Sequence, residues 1–150
     1  MKLQILFLCT DNSCRSQMAE GWARHLKGEE IEAYSAGLET HGVNPFAVQV
    51  MAEAGVDISK HYAKPIDIFS HKRFDAIITV CDHAHENWPY FPGQSKRVHK
   101  GFSDPPRIAK AVTDRQAYME KQLNCYRLVR DEIRDFIETL PEGLASICSN

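Results

Sequence analysis

An almost unbroken apolar run, Leu3 to Leu8, gives way within a few residues to a helical pattern from about Gln17 to Leu26. A run of this kind leaves no solvated face, so it reads as a buried strand. The alternation repeats along the chain. Strands are expected at Leu3–Cys9, Ile31–Ser35, Ala76–Val80 and a short Arg97–His99. Helices are expected at Gln17–Leu26, at Asn44–Ala54, where Pro45 suits a first turn, and within Ala117–Leu140. Strands spaced by helices argue for βαβ units, and so for an α/β fold whose parallel sheet is covered on both faces. Right-handed crossovers restrict the topology further. Gly101 to about Thr113 is the one long connection without a pattern, and such connections are commonly functional.

The residues between the first strand and helix are Cys9-Thr10-Asp11-Asn12-Ser13-Cys14-Arg15-Ser16. A loop in this position can turn successive backbone N–H groups inward, and the helix behind it adds its positive end. Arg15 supplies a planar fork that matches two oxygens of a tetrahedral anion. The same field favours a thiolate at Cys9, so its pKa is expected to be depressed, and Ser16 is placed to donate to its sulfur. Thr10 to Ser16 are therefore the candidate oxyanion-binding residues and Cys9 the candidate nucleophile. A cysteine ending a strand is often only a small buried hydrophobe. What favours the catalytic reading is the place, since ligands sit at the carboxyl ends of strands in α/β sheets.

A chain of 150 residues forms one domain with a full core, expected over residues 1–140, with 141–150 as a tail. A net charge of −2 gives no cause to expect nucleic acid, and Lys96 to Lys100 reads as a solvated edge. No apolar stretch approaches membrane-spanning length and no secretory signal is recognisable, so a cytoplasmic monomer is expected. Five cysteines (Cys9, Cys14, Cys81, Cys125, Cys148) then point to catalytic or redox use rather than structural disulfides. Cys125 falls in an apolar phase of the last helix and reads as packing. Cys81-x-His83-x-His85 falls short of a zinc spacing, so no metal is expected, and His41, His61 and His71 read as surface or loop residues.

Leu8 to Ala23 resembles the start of the arsenate reductases built on the low-molecular-weight tyrosine phosphatase fold. Tyr34-Ser35-Ala36-Gly37, Thr40 to Pro45, Gly55 to Ser59, Thr79-Val80-Cys81, Gly101 to Pro105 and Val129 to Ile133 match in order. The resemblance implies a three-layer sandwich around a four-stranded parallel sheet of order 2-1-3-4. It also implies an arsenate reductase, with Cys9 attacking arsenic, Arg15 holding the oxyanion and Asp104 as general acid. Cys81 then attacks Cys9 and leaves a Cys9–Cys81 disulfide. No bound cofactor is implied, only an external reductant: thioredoxin, glutaredoxin or a low-molecular-weight thiol. The alternative is a phosphomonoester phosphatase acting through phospho-Cys9, against which Pro106 and Arg107 stand where phosphotyrosine enzymes place a tyrosine pair.

Three positions depart from the resembling family. Thioredoxin-coupled members carry a third cysteine just before a proline, where this chain has Trp88-Pro89. A reductant then attacks the disulfide directly, a small thiol resolves the adduct, or arsenate is not reduced. Asp11 stands where glycine is common; aspartate tolerates a left-handed conformation better than most residues, and its side chain is expected to point outward. Asn12, Glu20 and Ser35 match the ligands of a potassium site in some relatives, but Lys64 replaces the completing aspartate and is read as a surface lysine in preference to an internal cation.

Overall fold

The computed structural model describes residues 2–87, 95–113 and 115–144. Four strands, β1 (Leu3–Cys9), β2 (Ile31–Gly37), β3 (Ala76–Thr79) and β4 (Lys96–His99), form one all-parallel sheet of order β2-β1-β3-β4. This is the expected α/β topology. Register runs from Leu3 opposite Ile31 to Cys9 opposite Gly37, with Leu8 opposite Thr79 on the other side. Successive residues Ile5 to Cys9 are all buried although they alternate between faces, so β1 is covered above and below.

The long helices are α1 (Arg15–Lys27), α2 (Pro45–Glu53) and α5 (Tyr118–Glu138). Their boundaries differ from the sequence expectation by a residue or two, and β2 continues to Gly37. Asn44 caps α2, its Oδ1 accepting from the Phe46 amide at 2.8 Å. The helix α5 packs on α1, α2 and the short helix α4 (Pro105–Ala109), and Trp22 of α1 donates from Nε1 to the Arg130 carbonyl at 3.1 Å.

Two short helices lie where no pattern was legible: α3 (Asp82–Glu86) directly after β3, and α4 (Pro105–Ala109) inside the connection read as irregular. A 3-10 turn covers Ile66–Phe69. Among the described residues no helix is long and apolar enough to cross a membrane. The positions Trp88 and Cys148 lie outside the described residues.

Candidate active site

Between β1 and α1 the backbone closes a cradle. The carbonyls of Cys9, Thr10, Asp11 and Ser13 accept from the amides of Leu38, Glu39, His41 and Asn44 at 3.2, 2.9, 3.3 and 2.8 Å. In a trans peptide the following N–H points the opposite way, so these four bonds turn the next amides toward the loop interior. The left-handed residue of the loop is Asn12, with φ 53°, next to Asp11. Asn12 is fully buried and acts as the pivot. Its Oδ1 accepts from the Lys64 amide at 2.8 Å and from Gln17 Nε2 at 2.9 Å, and its Nδ2 donates to Ser16 Oγ at 2.8 Å. Ser16 is thus engaged by Asn12. Asp11 points outward as expected, accepting from Ser13 Oγ at 3.0 Å and lying 3.8 Å from His41 Nδ1.

Gly37 makes this closure possible. A Cβ there would stand 2.8 Å from Asn12 N and from the Asp11 carbonyl carbon, both backbone atoms that cannot swing aside.

Arg15 is anchored from behind. Its Nη1 donates to the Phe102 carbonyl at 2.9 Å, and its Nη2 lies 3.7 Å from Asp104 Oδ1. Its Nε is buried without a partner. A buried donor left open beside inward-turned amides is the donor set of an anion site. Asp104 occupies the N-cap position of α4, ahead of Pro105, and is brought to Arg15 by the same segment that supplies Phe102.

Cys9 ends β1 and Cys81 follows the end of the adjacent β3, so the two thiols meet at the carboxyl edge of the sheet, where each shifts the other's charge. The hydroxyl of Thr10 lies 3.2 Å from Cys81 Sγ, which also accepts from the Ala84 amide at 3.4 Å as the cap of α3. These contacts set the charge of the pair. Cys81 is pulled down to about 5, chiefly by the hydrogen bond from Cys9 and further by Thr10, the Ala84 amide and Arg15. Cys9, donating to Cys81 and buried, is pushed up despite Arg15. The two thiols therefore titrate as one pair, the surroundings of Cys81 favouring its thiolate and burial opposing that of Cys9. Cys14 is fully enclosed, and burial pushes its thiol up, so it is no competing nucleophile.

A cleft of about 510 Å3 opens over these groups, lined by Thr10, Arg15, Cys81, Asp82, His83, Asp104 and Arg107 among others.

Residues 4–146 match the family model of the low molecular weight phosphotyrosine protein phosphatases. The chain belongs to that family. Its curated relatives include the arsenate reductase of Halalkalibacterium halodurans, 48% identical over 94% of this chain and 96% of the relative. Another is the arsenate reductase of Bacillus subtilis, 44% identical over 90% and 95%. A solved structure of an arsenate reductase in the oxidized state aligns with a TM-score of 0.73 at 31% identity, covering 98% of this chain and 99% of that one.

In this family member a second buried cluster lies behind the cradle, and the sequence reading of it needs correcting. Lys64 is not a surface lysine: its side chain is 10% exposed, and its Nζ stands 3.6 Å from Glu20 Oε1. Glu20 also accepts from Ser35 Oγ at 2.6 Å and lies 3.3 Å from Arg24 Nη2. His61, read as a surface or loop residue, packs inward with Nδ1 on Gln17 Oε1 at 2.9 Å and Nε2 3.7 Å from Glu20. The Lys64 ammonium thus supplies a positive charge beside Glu20, the internal cation that the sequence reading had set second to a surface lysine. The signal was present in the match of Asn12, Glu20 and Ser35 to a cation ligand set. His41 and His71 are exposed, and Cys125 packs partly against the core.

Proposed function

We propose that this chain reduces arsenate to arsenite with Cys9 as nucleophile, Arg15 as oxyanion holder, Asp104 as acid and Cys81 as the resolving thiol. The observation that carries the reading is the pair of thiols, Cys9 and Cys81, at the ends of adjacent strands beneath an anion cradle. Phosphate ester hydrolysis needs one thiolate; reduction of As(V) needs two electrons, and two thiols supply them. The curated relatives named arsenate reductase support the same choice.

Arsenate enters against the loop amides and the Nε–Nη2 edge of Arg15. A proton shift along the sulfur–sulfur hydrogen bond places the thiolate on Cys9, which attacks arsenic. Asp104 protonates the departing oxygen, which leaves as water. Cys81 gives up the proton it took to solvent water and, again as thiolate, attacks Cys9 Sγ. The S–As bond breaks with its electron pair remaining on arsenic, so As(V) becomes As(III) and the two thiols become a disulfide. An external thiol restores the pair. The enzyme works as a monomer in the cytoplasm, where thiol reductants are maintained.

The family model, named for phosphotyrosine phosphatases, favours a second reading, hydrolysis through phospho-Cys9. One assay separates them. Fully reduced protein mixed with arsenate and no added thiol should yield one equivalent of arsenite, and Arg15→Lys should lower kcat/KM at least ~100-fold. Aryl phosphate hydrolysis without arsenite formation would establish the phosphatase instead.

A further inference from the structure

The reductase reading leaves the reductant open, and the cleft over Cys81 bears on it. At about 510 Å3 the cleft falls within the roughly 300–1,000 Å3 typical of pockets for small organic molecules, well beyond the need of a four-oxygen anion. Cys81 lines it and Cys9 does not. Its charges are unevenly satisfied. Asp82 Oδ1 lies 3.0 Å from His99 Nε2, and Asp104 faces Arg15. Arg107, exposed on the rim, makes no ion pair or hydrogen bond through its guanidinium among the described residues. Arg107 thus adds a positive charge to the cleft on the same short helix that Asp104 precedes. In sequence, Trp88 stands where a third cysteine would relay the disulfide outward, so a reductant would meet the Cys9–Cys81 bond directly.

We propose that this cleft binds a small thiol bearing a carboxylate, that Arg107 grips the carboxylate, and that the thiol reduces the Cys9–Cys81 bond by attacking Cys81 Sγ. The proposal rests on the reductase reading for the origin of that bond. The incoming thiolate forms a mixed disulfide with Cys81, and the S–S electron pair departs on Cys9. Cys9 is then a good leaving group: Arg15 and the Thr10 amide favour its thiolate, and the Cys81 sulfur to which it donated is covalently occupied. A second thiol attacks the sulfur of the bound thiol, releasing Cys81 and a symmetrical disulfide. Two thiols lose two electrons and the protein disulfide gains them.

The test uses protein oxidised with arsenate and, in parallel, with diamide, so that failure of arsenate to form the bond sinks the reductase reading while the diamide sample still tests the cleft. Recovery of protein thiols is followed against glutathione, mercaptosuccinate and the uncharged 2-mercaptoethanol. The carboxylate thiols should saturate, 2-mercaptoethanol should stay linear, and peptide mapping should find the mixed disulfide on Cys81. Arg107→Ala should raise the KM for the carboxylate thiols about three- to tenfold and erase their advantage, with Arg107→Lys between. Added salt should raise the same KM. A mixed disulfide on Cys9, linear kinetics with every thiol, or a KM indifferent to Arg107 would each overturn the proposal. So would efficient reduction by catalytic thioredoxin with no saturable reaction with glutathione.

Discussion

Glu20 and Lys64 are far apart in sequence yet form a pair with side chains 3% and 10% exposed, joined by Ser35, Arg24 and His61. Burial alone pulls the Lys64 ammonium below its ordinary value, and Glu20 opposes that pull. Removing either partner would leave the other buried without its counter-charge. Lys64→Ala should therefore cost about 3 kcal/mol in urea unfolding, toward the low end for a broken buried pair because Arg24 remains beside Glu20. Cys81 carries a second expectation at this scale. Its thiolate is held down to about 5, so its reactivity should persist through neutral pH and fall only as the pH drops through that value. Iodoacetamide at about pH 6.5 should label Cys81 ahead of Cys9, Cys14 and Cys125, with phosphate in the cradle changing the rate. Labelling of Cys9 first would place the resting charge on the other sulfur. The sequence made these residues recognisable as chemistry but not their charge states. Which sulfur holds the thiolate depends on Thr10 and the Ala84 amide meeting Cys81, and whether a lysine is internal depends on what folds over it.

The cradle is an element held by its neighbours rather than by its own hydrogen bonds. Four of its carbonyls are taken by residues 38–44, and Gly37 lets that segment approach. Gly37→Ala should force the two backbones apart, destabilising the protein by about 3 kcal/mol and weakening phosphate binding, measurable by calorimetry. An unchanged affinity would mean that the loop keeps its shape without this support. The strands and the three long helices were legible because each spans enough residues to show its period. The helices α3 and α4 were not, since five residues complete barely more than one turn and carry no periodic signal. Both matter for the chemistry: Cys81 is the N-cap residue of α3, and Asp104 is that of α4.

Across the whole molecule, the order β2-β1-β3-β4 sets β1 beside β3 and brings Cys9 and Cys81 together at the carboxyl edge of the sheet. The connection after β4 delivers Phe102 and Asp104 to Arg15 at the same edge. One anion site and two thiols thus meet where parallel strands end, as is usual for α/β sheets. The net charge of −2 hides this, because the positive field is local to Arg15, Arg107 and the loop amides. The central claim is that two electrons for As(V) come from Cys9 and Cys81. Its most direct measurement is a single turnover of reduced Cys81→Ser with arsenate, arsenite being quantified without added thiol and aryl phosphate hydrolysis measured on the same sample. Arsenite should fall to background while hydrolysis stays within about threefold of the parent, since hydrolysis draws only on Cys9, Arg15 and Asp104. Arsenite formed by Cys81→Ser at the parent's rate and yield would contradict the internal relay.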